Sequence, residues 1–144
     1  MTNQEILAQF GPREAMEYDV VVVGGGPGGL STAIRLKQLA ADKGKDISVV
    51  VLEKGAEPGA HILSGAVLDP KALTELFPKW KEMGAPLNQP VTDEAMLFLS
   101  EETAYRTPNF FLPECSQNHG NYITSPGPLT RWLATPAENP GAEI

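Results

Sequence analysis

Hydrophobic positions along the chain are grouped in short runs with changing periods. Residues 20–23 are four successive valines, and 47–52 read Ile-Ser-Val-Val-Val-Leu. β-branched residues favour strand, and a run without polar alternation predicts burial on both faces, as in a central parallel strand. Between the two runs, Leu30, Ala33, Ile34, Leu36, Leu39 and Ala40 recur at helical spacing, with Arg35, Lys37 and Asp42 between them. That pattern predicts a helix over 30–42, and Gly44 is placed to stop it. Residues 18–53 are thus predicted to be a β–α–β unit with a right-handed crossover.

Further along, 55–68 is rich in glycine and predicts a loop. Asp69-Pro70 forms a helix start, with Asp69 as N-cap and Pro70 in the first position. Leu73, Leu76, Phe77 and Trp80 then follow at i, i+3, i+4 and i+7, a single stripe limited by Pro78. Residues 84–90 predict a turn-rich connection. Residues 95–100 and 104–107, separated by Glu101-Glu102-Thr103, predict a hairpin with a solvated tip. A short helix is expected over 127–134, with prolines at 126, 128, 136 and 140 leaving 126–141 ragged. Residues 141–144 resemble the first residues of a strand. The polar stretch 1–17 is a lead-in with a helical turn at 4–10.

The element order changes the meaning of the glycines. Gly24-Gly25-Gly26-Pro27-Gly28-Gly29 lies between the first strand and the helix, in the spacing Gly-x-Gly-x-x-Gly. Gly24 permits a tight turn, Gly26 lets backbone approach a pyrophosphate, and Gly29 allows close helix–strand packing. The unpaired N–H groups and positive dipole end of the helix are suited to phosphate. Glu53, at the end of the second strand, is placed to accept hydrogen bonds from a ribose diol and to repel a 2′-phosphate. The fold class expected is α/β, a Rossmann-like FAD/NAD(P)-binding βαβ unit with an inserted helix and hairpin. The motif grips the ADP half that FAD and NAD share. The small-residue loop 59–65, followed by a helix and a hairpin instead of another βα repeat, suits a flavoprotein better than a simple dehydrogenase.

Composition removes other classes. The chain has 144 residues, about one domain, with a formal charge of −7 and one cysteine, Cys115. An acidic chain without a basic stripe argues against nucleic acid. A lone thiol forms no internal disulfide and no metal-binding pair. No run reaches the ~18 apolar residues that span a bilayer. Glu5, Glu14 and Glu17 against Arg13 are wrong for a secretory signal or a mitochondrial presequence, which implies a cytoplasmic, prokaryotic product. Neither His61 nor His119 has a metal-site partner. His61 reads as a donor to a cofactor or to nearby backbone, and His119, with Asn118 and Asn121, as a polar turn.

Longer runs carry a more specific resemblance. The segments Asp19 to Ser31, Leu52-Glu53-Lys54, Gly59-Ala60-His61-Ile62-Leu63-Ser64-Gly65-Ala66, Leu68-Asp69-Pro70 and Asn118-His119-Gly120-Asn121-Tyr122-Ile123 resemble the N-terminal part of the electron transfer flavoprotein–ubiquinone oxidoreductase family. The resemblance covers nearly all of 18–144. It implies an FAD-dependent enzyme that takes electrons from reduced electron transfer flavoprotein and passes them, through FAD and a [4Fe–4S] cluster, to ubiquinone in the membrane. It implies FAD contacts at Gly24, Gly25, Gly26, Pro27, Gly28, Gly29, Glu53, Lys54, His61, Ser64 and Gly65, and membrane contact through Leu73, Leu76, Phe77 and Trp80, a stripe that otherwise packs on the protein's own core. It further implies peripheral attachment to the cytoplasmic face of the inner membrane. The cluster ligands belong to family segments absent here, so 18–144 reads as an incomplete FAD-binding domain, inactive alone. A geranylgeranyl-reductase-like flavoprotein and a non-catalytic FAD-binding module are the competing readings.

Overall fold

A computed structural model of the chain describes residues 2–11 and 15–144. Met1 and 12–14, and with them Arg13 and Glu14 of the lead-in, lie outside the described residues, as does the side chain of Cys115.

The lead-in contains a full helix, α1 (Asn3–Phe10). The Thr2 hydroxyl accepts from the Glu5 N–H while the Glu5 carboxylate accepts from the Thr2 N–H, a reciprocal cap that satisfies two end donors. None of its side chains is buried.

The β–α–β unit forms as predicted. Strand β1 (Val20–Val23) pairs in parallel with β2 (Val49–Leu52), Val20 opposite Val49 and Val23 opposite Leu52. Between them runs α2 (Pro27–Asp42), which starts three residues earlier than the apolar pattern indicated. Gly44 does stop it. With φ +61°, it lets the Gly44 and Lys45 amides reach back to the carbonyls of Ala41 and Ala40.

The sheet departs from expectation in one respect. Val20, Val22, Val49 and Val51 face inward and pack with Leu30, Ala33 and Ile34 of α2. Val21, Val23 and Leu52 point the other way and are exposed, Val23 by 84%. Strand β1 is therefore an edge strand with one covered face, not a central strand buried on both. An apolar residue on each side of a strand reads as double burial, but a second layer must exist to provide it.

Residues 141–144 complete this sheet as β8 (Ala142–Glu143), parallel to β2, in the order β1-β2-β8. Before it, α4 (Pro126–Glu138) is one continuous helix, not the ragged segment expected. Pro126 and Pro128 occupy its first turn, where backbone N–H groups lack intrahelical partners in any case. Pro136 alone removes an interior hydrogen bond. Its cost is offset by burial of Leu129, Thr130, Leu133 and Ala137 against α2 and the sheet.

A second sheet, unpredicted, joins β3 (Ala66–Leu68), β7 (Tyr122–Thr124) and β4 (Gln89–Pro90), antiparallel in the order β3-β7-β4. The predicted hairpin is present as β5 (Met96–Leu99) and β6 (Ala104–Thr107), closed by the Ser100 N–H to Thr103 carbonyl bond.

The inserted helix α3 (Lys71–Leu76) is short. Asp69 accepts from the Lys71 N–H at 2.9 Å, and the helix ends before Pro78, which disfavours helical backbone in the residue preceding it. Trp80 lies past its end, in the following turns. The stripe faces inward. Leu73 and Trp80 are buried in the core, and Leu76 and Phe77 pack against it. Phe77 meets Trp132 edge-on at 5.8 Å, and Trp80 meets Tyr122 edge-on at 5.6 Å. In this chain the four side chains pack inward: α3 is too short to carry the i+7 position, and the Trp80 indole donates to the Thr74 hydroxyl.

Candidate dinucleotide site

The sheet register decides where the site lies. Val23 pairs with Leu52, so Gly24 and Glu53 leave the sheet together at its carboxyl end. Gly24 extends the ladder by donating its N–H to the Leu52 carbonyl at 2.8 Å, then turns with φ +105°, a conformation that side chains strongly disfavour.

The remaining glycines divide by what surrounds them. A Cβ on Gly29 would lie 1.9 Å from the Gly24 carbonyl oxygen, so this glycine is demanded by packing. A Cβ on Gly25 would lie 2.8 Å from Glu53 Oε2. Around Gly26 and Gly28 there is nothing within 4 Å of such an atom. Packing leaves those two positions open. Gly26 is the N-cap of α2, no side chain caps that end, and Pro27 contributes no N–H. The first turn of a 16-residue helix thus presents backbone amides and its positive pole toward open space.

Glu53 stands beside this helix end. Its Oε2 accepts from the Gly25 N–H at 2.8 Å and its Oε1 from the Gly55 N–H at 2.6 Å. The Gly55 amide, then the Gly25 amide, holds the carboxyl below its usual range, and the nearby His61 adds to this. The charge is fixed in position, and each oxygen keeps acceptor capacity for a sugar hydroxyl.

The other expected residues are less tightly gathered. The His61 ring lies at Gly55, where a Cβ on the glycine would meet Cε1 at 3.3 Å, so His61 belongs to the Glu53 neighbourhood. Lys54 follows Glu53 with an exposed side chain. Ser64 and Gly65 are exposed just before β3, and Gly65 abuts the Thr124 carbonyl. His119 lies apart from the glycine turn, lining an open depression with Asp69 and Asn121. A separate groove of about 530 Å³ runs between α2 and α3, lined by Ser31, Arg35, Leu39 and Leu76. It flanks the outer side of α2, away from Gly24–Gly26 and Glu53.

Sequence reasoning missed how Gly25 and Gly55 serve Glu53. The three consecutive glycines were a signal for the first. Nothing in the spacing signals the second.

A family described as NAD(P)-binding Rossmann-like domain matches residues 22–80. The electron transfer flavoprotein-ubiquinone oxidoreductase of Pseudomonas aeruginosa is 62% identical over 133 residues, 92% of this chain and 24% of that protein. The mitochondrial protein of the same name from Mus musculus is 56% identical over 133 residues, 92% of this chain and 21% of its own length. This chain is similar to the N-terminal portion of electron transfer flavoprotein–ubiquinone oxidoreductases. It spans about a quarter of the length of these curated relatives. The crystal structure of FqzB superposes with TM-score 0.58 at 23% identity, covering 92% of this chain and 29% of that one, a likeness of fold alone. The family resemblance read from the sequence is thereby upheld, and so is the Rossmann-like α/β class.

Proposed function

We propose that residues 18–144 are the N-terminal part of an FAD-binding domain from an electron transfer flavoprotein–ubiquinone oxidoreductase. The observation that carries this reading is the uncapped start of α2, open at Gly26 and Gly28, with the Glu53 carboxylate fixed beside it. The amides of the first helical turn would hold the pyrophosphate of FAD, and Glu53 its ribose. His61, Lys54, Ser64 and Gly65 would border the rest of the cofactor along the loop. FAD, when bound, supplies reversible acceptance of electrons, and the protein supplies position and field. Gly29 and Gly24 keep the helix pole close to the strand end, and the fixed carboxylate disfavours a 2′-phosphorylated ribose.

In the whole protein, this reading has electrons passing from reduced electron transfer flavoprotein to ubiquinone at a membrane, in prokaryotes at the cytoplasmic face of the inner membrane. A [4Fe–4S] cluster needs four thiolates or equivalents. The single Cys115 does not fit that requirement, so the cluster and catalytic turnover are assigned to the further length that the relatives possess. No helix among the described residues is long and apolar enough to cross a membrane. Membrane contact is reassigned from the α3 stripe to β5 and the turn after β6, where Met96, Leu97, Phe98, Leu99, Phe110 and Phe111 are exposed.

The test is calorimetric titration of the chain with FAD, ADP and NAD. FAD and ADP are expected to bind, and Glu53→Gln to weaken both by about tenfold, the loss of a charge-assisted hydrogen bond. NAD binding with no response to FAD would overturn the proposal.

A further inference from the structure

The loop between β2 and β3 is seated on α4 by a contact that admits no side chain. Gly59 has φ +83°, and a Cβ built on it would lie 2.8 Å from the Gly127 carbonyl oxygen and 3.1 Å from Thr130 Cβ. Both partners are immovable: one is helix backbone, and Thr130 is fully buried with its hydroxyl bonded to the Pro126 carbonyl at 2.7 Å. The loop above this point is compact. Ala60 N–H donates to the Glu57 carbonyl and Ile62 N–H to the Gly59 carbonyl, both at 3.1 Å. Gly55 is enclosed by Glu57 and His61, so that a Cβ there would meet the Glu57 carbonyl oxygen and His61 Cε1 at 3.3 Å each. Glu57 also pairs with Arg131 of α4 at 3.2 Å, an exposed bridge of small energetic weight. A shift imposed at Gly59 is therefore carried through a rigid unit to Gly55, whose amide holds Glu53 at 2.6 Å.

We infer that Gly59 is a positioning residue for the dinucleotide site: its side-chain-free contact with the Gly127 carbonyl and Thr130 seats the 55–62 loop on α4 and so keeps the Gly55 amide on the Glu53 carboxylate. Helix α4 thereby sets the aim of a carboxylate at the far end of the loop. This assignment rests on reading Glu53 as the ribose acceptor, and it names the part of the fold that orients it.

The experiment is carbon-13 NMR titration of the Glu53 carboxyl in the ligand-free chain, alongside calorimetry with ADP. Gly59→Ala is expected to move the Glu53 titration upward, toward the ordinary carboxyl value, and to weaken ADP binding about tenfold, as expected for losing one hydrogen bond to a charged group. Gly127→Ala is the matched control. Its Cβ would meet Gly59 and Ile62 oxygens at an ordinary 3.5 Å, so Glu53 should titrate as in the unaltered chain even if the helix end is weakened. Gly44→Ala places the same kind of backbone strain in open space, with φ +61°, and should also leave Glu53 unmoved. Should Gly59→Ala fail to fold, Gly127→Leu made together with Pro128→Ala pushes on the loop from the helix side, with Pro128→Ala as its reference. A folded Gly59→Ala, or the folded double variant, whose Glu53 titrates as in the unaltered chain overturns the positioning role. Failure of ADP to bind the unaltered chain overturns the reading of the site instead, and the carboxyl titration distinguishes the two.

Discussion

Single residues at the carboxyl end of the sheet divide into those that build the turn and those that leave room beside it. Gly29 builds it. A methyl group 1.9 Å from a carbonyl oxygen forces the helix off the strand. Gly29→Ala is expected to destabilise the chain by about 3 kcal/mol, at the upper end for an overpacked core site, read as a fall in the urea midpoint. The acidic side chains give a second expectation. Glu53 is held below its usual range by the Gly55 and Gly25 amides, and Asp19 by the Ser48 N–H and then the Ser48 hydroxyl. A carboxyl whose folded value is depressed adds stability that is complete above the unfolded value, about 4, and is lost as the pH falls through the folded one. Urea midpoints should therefore drop below about pH 4. The double variant Glu53→Gln, Asp19→Asn should show a flatter profile, and an unchanged slope would contradict the hydrogen bonds described. At this scale the sequence was legible where one local demand explains one glycine, a positive φ at Gly24 and a close carbonyl at Gly29. The Gly55 amide was not legible, because its partner is set by how the whole loop folds back.

The elements show where local rules prevail and where packing overrides them. The βαβ unit, the hairpin and the last strand follow directly from periodicity and turn residues. Helix α4 defied its prolines because three of the four in that region, 126, 128 and 140, lie at or outside its ends. Pro136→Ala restores an N–H facing the Trp132 carbonyl and is expected to stabilise the chain by about 1–3 kcal/mol, measured by urea denaturation. No gain would mean that a neighbouring group already satisfies that carbonyl. Strands β3 and β4 escaped detection because two or three residues carry no readable period. Their pairing depends on β7, more than thirty residues away. The stripe on α3 was read correctly as apolar, and in this chain it packs inward. Spacing reveals that a face seeks burial, and only the tertiary fold reveals against what.

At the level of the molecule, the exposed surface is unusually apolar in two places. One is the outer face of the parallel sheet, at Val21, Val23 and Leu52. The other is the hairpin region already assigned to membrane contact. Contiguous apolar patches of this kind mark interaction surfaces and lower the stability of an isolated piece. The chain by itself is expected to be marginally stable, with a melting midpoint below about 45 °C by calorimetry; a midpoint in the ordinary range of small domains would count against this. The hairpin assignment predicts co-sedimentation with lipid vesicles that falls several-fold in a Phe98→Lys, Leu99→Lys variant, since each buried apolar group adds to interfacial binding and a charge removes it. Loss of folding is excluded by an unchanged far-ultraviolet spectrum. Equal sedimentation of the two proteins would remove the assignment. These faces could not be read from sequence, where an apolar residue looks the same whether covered or bare.

The empty space around Gly26 has a practical corollary. Its backbone is ordinary, with φ −77° and ψ 179°, so the scaffold makes no demand for glycine there. A single alanine at this position should yield a folded protein, its melting lowered only by the weaker N-cap, with a much reduced affinity for a diphosphate. Such a variant is a genetic reagent: introduced into a longer homologue, it would separate the phenotype of losing the flavin from that of losing the polypeptide.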